Sequence, residues 1–172
     1  KNINLTYLNC QKNNLSSLDT SANTALITLI CDNNPLTNLD VSKNIVLTDL
    51  RCNYNQIQNL DLSQNPNLTF LYCISNQLTG LDLAANTFLT IVDCDSNQLQ
   101  FLNASTNLAL KQLSCRFNQL TNLDVSKNTA LQSFKCSSNQ LPNLDVSKNI
   151  VLTDFQCDNN LFGNLDISKN IA

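Results

Sequence analysis

The stretch from Leu29 to Leu50 reads LICDNNPLTNLDVSKNIVLTDL, and its pattern returns along the whole chain. Cysteine marks the period, because it recurs every 21 residues from Cys10 to Cys157 without a single insertion. A fixed period of this length is typical of stacked repeat proteins, in which each unit contacts only its neighbours. The sequence therefore predicts one domain over residues 1–172, built from eight 21-residue repeats.

Other columns keep the same period. Leucine, valine or phenylalanine stands two residues before each cysteine, and asparagine stands three and thirteen residues after it. The asparagine three residues after cysteine is predicted to end the strand and to bond backbone groups in the turn. Apolar and polar residues alternate around the cysteine, which predicts a strand with one buried face, paired in parallel with its neighbours. The second half of the unit, such as Leu39-Asp40-Val41-Ser42, lacks helical spacing. It predicts short strands or extended turns, and no helices, on the convex side.

The unit L-x-x-L-x-C-x-x-N-x-L-x-x-L-D-V-S-x-N resembles the signature of the leucine-rich repeat family, with cysteine at one leucine position. Its length and cysteine ladder are similar to the repeats of internalins and of secreted leucine-rich proteins of Bacteroidetes. This resemblance implies a right-handed β-rich horseshoe with a parallel concave sheet. It also implies a secreted or cell-surface location on a bacterium and a role in adhesion. Because the repeats are cut at both ends, we expect the chain to be a fragment of a longer protein.

Composition argues against several partners. The net charge is −3, with 10 basic residues and no basic stripe, so neither nucleic acid nor an anionic membrane is an expected ligand. No apolar run is long enough to span a bilayer, so we expect no membrane insertion. The oligomeric state is left open.

The cysteines are predicted to be small buried hydrophobic residues. Each takes an inward leucine site about 4.8 Å from the next, and parallel Cα–Cβ vectors at that spacing do not suit a disulfide. The chain has no histidine to activate a thiol. With no paired inward carboxylates either, we expect no enzymatic activity, no metal and no cofactor.

Aspartate or, once, asparagine stands nine residues after each cysteine, from Asp19 to Asp166. We expect these side chains to cap backbone N–H groups in the convex turn. Calcium bridging between repeats is the alternative, although each repeat supplies only one carboxylate.

Function is predicted where residues escape the repeat rule. The positions beside each cysteine that face outward from the concave sheet are mostly small or polar in the first, seventh and eighth repeats. In the middle repeats they are aromatic, aliphatic or charged, and exposed apolar patches with aromatic and arginine residues mark interaction sites. The predicted partner-binding residues are Arg51, Tyr54, Phe70, Tyr72, Ile74, Ile91, Asp93, Asp95, Arg116 and Phe117.

The leading interpretation is a protein-binding module for adhesion or recognition, with a glycan as the less favoured ligand. A structural spacer that displays another domain is the alternative, and it predicts no such patch. Ice binding would need a regular threonine ladder. Thr48, Thr69 and Thr90 align, but Lys111 and Gln132 interrupt the column.

Overall fold

The computed structural model of the protein describes residues 2–171, so the two end residues of the predicted 1–172 domain lie outside it. Within that range the chain forms a solenoid of three-residue strands without helices, as predicted. We number the repeats 1 to 8 by their cysteines. The strands are β1 (Tyr7–Asn9), β2 (Thr28–Ile30), β3 (Asp49–Arg51), β4 (Phe70–Tyr72), β5 (Gly80–Asp82), β6 (Ile91–Asp93), β7 (Phe101–Asn103), β8 (Gln112–Ser114), β9 (Ser133–Lys135) and β10 (Asp154–Gln156).

Eight of these strands form one parallel sheet, the concave sheet, in the order β1-β2-β3-β4-β6-β8-β9-β10. The register equals the repeat length, so Leu29 lies opposite Leu50 and Leu50 lies opposite Leu71. The ladder continues past each strand into the cysteine, where the Cys31 N–H donates to the Arg51 carbonyl at 2.8 Å. Residues of one column therefore stand side by side across the sheet.

The core is a single stack of leucine and cysteine columns between the concave sheet and the convex turns. Leu50, Cys52 and Cys73 have no exposed surface, because each inward side chain is covered by the repeats above and below it. Leu39 and Val41 point inward from the convex half and Asp40 points outward, as the alternation predicts. Burying one such leucine contributes roughly 1.5–3 kcal/mol, and only stacking makes the burial complete.

The convex side differs between repeats. Among the described residues, β5 and β7 alone are strands there, and they pair in parallel with Leu81 opposite Leu102. The other described repeats carry extended turns. The two convex strands begin at Gly80 and Phe101, where other repeats have asparagine or serine seven residues after the cysteine. Asparagine and serine favour turns because their side chains bond to nearby backbone groups, so their loss allows strand pairing.

Candidate functional site

The ten predicted binding residues, which we call the concave patch, lie together in repeats 3 to 6. Five are on strands β3, β4 and β6, and five are in the turns that follow β3, β4, β6 and β8. The strand register places Arg51, Tyr72 and Asp93 side by side in one row. Phe70 lies beside Ile91 in the neighbouring row. The structure thus places the predicted residues in one region of the concave sheet, and their role in binding stays a prediction.

The first turn, which covers the three residues after each cysteine, is held by its last residue, an asparagine. The Asn76 Nδ2 donates to the carbonyl oxygens of Cys52, Cys73 and Ile74 at 2.9, 3.2 and 3.3 Å. The Asn76 Oδ1 accepts the N–H of Ile57 at 3.0 Å. From Asn34 to Asn160, each asparagine of this column ties two repeats together, which confirms the prediction that this side chain bonds to backbone in the turn.

The second residue of the first turn has a left-handed backbone in all eight repeats, with φ between 54° and 58°. This conformation is disfavoured for residues with a Cβ and is tolerated best by asparagine and other short polar residues. Six repeats carry Lys12, Asn33, Ser75, Ser96, Ser138 and Asn159 at this position.

Tyr54 and Phe117 occupy the same left-handed position with bulky aromatic side chains. The two residues are 56% and 57% exposed, so burial of the rings does not offset the backbone strain. A strained conformation of this kind costs on the order of 1–3 kcal/mol and is concentrated at functional sites. These two side chains are the most conspicuous departures from the repeat rule on the concave side.

Three outward side chains along β4 and the turn after it are less exposed than the alternation of the sequence predicts. They are Phe70, Tyr72 and Ile74, and all three are half-buried. The Arg51 guanidinium lies over the Tyr72 ring, 5.1 Å from its centroid, and is held there by an ion pair to Asp49 at 2.9 Å. These three side chains therefore form a partly packed surface.

Asp95 is a correction to the sequence prediction, which placed it on the exposed face. It is only 5% exposed. Its carboxylate accepts hydrogen bonds from the Ser114 hydroxyl at 2.6 Å and from the Arg116 N–H at 2.7 Å. The Arg116 guanidinium also pairs with it at 2.7 Å. These contacts draw the carboxylate against the sheet, so Asp95 positions Arg116 rather than facing a partner.

Asp93 has a different environment. It accepts one hydrogen bond, from the Asp95 N–H at 3.2 Å. Burial, together with the negative charge of Asp95, raises the pKa of the Asp93 carboxyl to about 6. The carboxylate borders a cavity of about 120 Å³ on the concave side, whose walls include Tyr72 and Ile91.

Six of the eight cysteines, from Cys31 to Cys136, are buried as predicted, the end residues Cys10 and Cys157 are half-buried, and all eight are free thiols. Burial raises the pKa of the Cys31 and Cys136 thiols to about 12, and it raises the pKa of Cys94 well above its ordinary value. Since the thiolate is the reactive form, these side chains are inert at neutral pH.

The convex aspartates cap the turn, as predicted. The Asp40 Oδ1 accepts the N–H of Ser42 at 2.9 Å, and this hydrogen bond lowers the pKa of the carboxyl. The same contact recurs with Asp145 and Ser147 at 2.8 Å. Within residues 2–171, no group of three or more cysteine or carboxylate side chains converges to hold a metal ion.

Sequence reasoning missed a depression on the convex side. Phe101 is 55% exposed beside Gly80, and with Asp61 and Asp82 they line a cavity of about 360 Å³. A Cβ at Gly80 would lie 4.0 Å from the Phe101 ring, at ordinary van der Waals distance, so the ring does not require a glycine at this position. The signal was present in the sequence, because both residues break a column that is otherwise asparagine or serine.

A second missed surface runs along the edge where the chain enters the concave strands. Phe88 is 63% exposed there, and with Ile27 and Val46 it lines an open groove of about 910 Å³. Val46 and Phe88 stand six positions before a cysteine, in a column that the sequence analysis did not consider, and Ile27 stands in the threonine column, which was considered only for ice binding. Among the described residues, no helical segment has the length and hydropathy that crossing a bilayer requires.

One parallel strand per 21-residue repeat, an inward leucine and cysteine stack and an asparagine in each first turn define a leucine-rich repeat solenoid. The chain therefore belongs to the leucine-rich repeat family. It is similar to the functional domain of InlJ from Listeria monocytogenes, which includes a cysteine ladder. The two are 40% identical with a TM-score of 0.73, and the match covers 96% of this chain and 42% of that one. The predicted family and repeat type are confirmed.

Two further solved structures share the fold. A leucine-rich repeat protein of Leptospira interrogans has a TM-score of 0.89 at 21% identity, over 95% of this chain and 46% of that one. Internalin C2 from Listeria monocytogenes has a TM-score of 0.84 at 20% identity, over 98% of this chain and 77% of that one. Comparison with protein-family models and with curated proteins found no match. The chain spans less than half the length of the InlJ domain.

Proposed function

We propose that the protein is a recognition module that binds a protein partner through the concave patch, as a secreted or surface protein of a bacterium, without catalytic activity. One observation carries this proposal. Tyr54 and Phe117 are exposed aromatic residues held in a left-handed backbone conformation that is disfavoured for bulky side chains. A purely structural spacer has no use for two such residues, because Asn33 and Ser75 fill the same position at less strain.

The two aromatic residues stand three repeats apart, which is about 14 Å at the spacing of neighbouring strands. Ser75 and Ser96 occupy their column between them. The surface along this column therefore has an aromatic ring at each end and small side chains between them. The half-buried side chains of Phe70 and Tyr72 lie beside it. Such a surface suits a short protein segment laid across the strands, with each ring contacting one part of it.

Relatives support the proposal at a coarser level. The LRIM1/APL1C complex contains a chain of the same fold, with a TM-score of 0.75 and 22% identity over 94% of this chain and 32% of that one. Proteins of this fold thus take part in protein assemblies. Non-catalytic roles are also the general rule for the fold, and the buried thiols with raised pKa values offer no nucleophile.

The test replaces Tyr54 and Phe117 by asparagine, the residue that Asn33 and Asn159 place in the same column. Peptides are selected against the wild-type protein from a displayed library of random segments. We expect the double variant to lose at least about tenfold in affinity for them, which corresponds to about 1.4 kcal/mol. The matched control is Phe88→Thr, which removes an equally exposed aromatic ring from the edge groove.

A second variant, with serine at Phe70 and Tyr72, should also abolish binding. Its fold is checked by the denaturation midpoint, since both side chains are half-buried and some loss of stability is expected. Selected peptides that bind both variants as tightly as the wild type, or that lose affinity only for Phe88→Thr, would place the site elsewhere and refute the proposal.

A further inference from the structure

We infer that the partner inserts a basic side chain, lysine or arginine, into the cavity beside Asp93. This inference rests on the proposed function and names the chemistry of the partner at the centre of the concave patch.

Asp93 stands in the middle of the concave sheet. On β6 it lies between Tyr72 of β4 and Ser114 of β8. Its one hydrogen bond comes from the Asp95 N–H, whereas the neighbouring Asp95 carboxylate is saturated by Ser114 and Arg116. The Asp93 carboxylate is thus half-buried and still able to accept further hydrogen bonds.

The cations near Asp93 already have partners. Arg116 pairs with Asp95 at 2.7 Å, and Lys135 pairs with Asp154 at 3.1 Å. Because these pairs neutralise the neighbouring basic groups, the charge of Asp93 is the uncompensated one on this part of the sheet. An anionic ligand would be repelled by it, and a cation would supply the counter-ion that the protein itself does not place there.

The cavity has the size and lining for one side-chain terminus. Its volume of about 120 Å³ is bordered by Tyr72 and Ile91 on one side and by Ser114, Arg116 and Lys135 on the other, and both of these cations are held in the ion pairs described above. The aromatic and aliphatic walls suit the methylene stem of a lysine or arginine, and an aromatic face attracts its cationic head. A charge-assisted hydrogen bond to a half-buried carboxylate is stronger than one in open solvent.

Binding should depend on pH. The charged groups that face Asp93 are Asp95, Arg116 and Lys135, with Tyr72 as the neutral titratable neighbour on β4. A carboxyl with a pKa of about 6 is mostly ionised at pH 7.5 and mostly protonated at pH 5. The ionised fraction, and with it the affinity for a cation, falls about tenfold between these values. A bound cation would in turn lower the pKa of Asp93.

The experiment uses peptides selected at pH 7.5 from a displayed library of random segments. We expect a lysine or arginine at one position of the enriched peptides, and norleucine at that position should weaken binding about tenfold or more. The isosteric variant Asp93→Asn should lose about tenfold in affinity at pH 7.5 and should no longer respond to pH between 5 and 7.5. Asp40→Asn is the control for the change of net charge, since Asn103 naturally fills that convex column.

The outcomes separate this inference from the proposed function. Peptides that lose affinity for the variant with asparagine at Tyr54 and Phe117 but bind Asp93→Asn as tightly as the wild type would overturn the inference and leave the proposed function standing. Enriched peptides without a basic residue would also overturn it. Peptides indifferent to both variants would overturn the inference and the proposed function together.

Discussion

The two turns of each repeat differ in how completely the side-chain amide of their asparagine is hydrogen-bonded. In the first turn, Asn76 uses both ends of its amide, with three carbonyl acceptors and one N–H donor. In the second turn, which runs from nine to thirteen residues after the cysteine, Asn86 donates to the carbonyls of Leu62 and Asn65 at 3.0 and 2.8 Å. Its Oδ1 is buried and has no hydrogen-bond partner among the described residues.

This difference explains where the chain can vary. The first turn is over-determined by its asparagine network, and a strained conformation persists only where the surrounding structure over-determines it. It can therefore hold Tyr54 and Phe117 in the left-handed region. The second turn keeps the sequence Leu-Asp-Val-Ser or a close variant in most repeats. Of the two turns, the better-anchored one thus carries the variation suited to recognition.

Repeat 1 shows how the asparagine oxygen of the second turn can gain a hydrogen-bond donor. The Thr20 hydroxyl donates to the Asn44 Oδ1 at 2.8 Å, and both residues are buried. The corresponding position in the later repeats carries leucine, valine, alanine or isoleucine, from Val41 to Ile167. An orphaned amide oxygen recurs from Asn65 to Asn170.

The largest expected effect is on the first turn. Asn76→Ala should lower the free energy of unfolding by about 3 kcal/mol, because it leaves several buried backbone groups without partners at once. Asn86→Ala, which strips fewer hydrogen bonds and removes an already unsatisfied oxygen, should cost roughly 1 kcal/mol less. Urea denaturation of both variants measures the difference, with exposed Gln98→Ala as the control. Equal losses at the two positions would contradict the distinction between the turns.

Thr20→Val should destabilise the protein by about 1 kcal/mol, because it keeps the side-chain shape but removes the donor to Asn44. The change makes repeat 1 like the others. The denaturant midpoint reports the effect, and a midpoint unchanged from the wild type would mean that the orphaned oxygens of the second turn carry no penalty.

Tyr54→Asn should raise the free energy of unfolding by about 0.5–1 kcal/mol, because asparagine tolerates the left-handed conformation better than tyrosine. The reverse change, Asn33→Tyr, should lower it by a similar amount at the matched position. Thermal unfolding of the two variants tests the strain directly. A stability loss in Tyr54→Asn would show that the ring stabilises the turn and would weaken the case for binding.

The smallest effect is expected for Val125→Thr, which places a hydroxyl where it can donate to the Asn149 Oδ1. The new hydrogen bond offsets the burial of the hydroxyl, so the net change should lie within about 0.5 kcal/mol of the wild type. The matched control is Val92→Thr on β6, which buries a hydroxyl away from this column. A loss at Val125 as large as that at Val92 would argue against the completion seen in repeat 1.

The periodicity of the sequence was enough to predict the parallel sheet, the inward cysteine column and the bonding of asparagine in the first turn. Each follows from a pattern that every repeat obeys, so the physics of one repeat applies to all. The site was harder to predict. Asp95 was expected to be exposed and is buried, because its position depends on Ser114 and Arg116 in the next repeat. Phe101 beside Gly80 was visible as a broken column but was not interpreted.

The sequence by itself determined the solenoid, its register and the columns from which a partner could be contacted, because a strict 21-residue period leaves one way to stack the apolar faces. The tertiary structure alone decided which side chains in those columns are strained, buried or unpaired. It placed the carboxyl groups of Asp93 and Asp95 in different environments, and it put Tyr54 and Phe117 in a left-handed backbone conformation. Those properties arise from contacts between neighbouring repeats and from backbone dihedral angles. The residue types at one position of the repeat do not specify either of them.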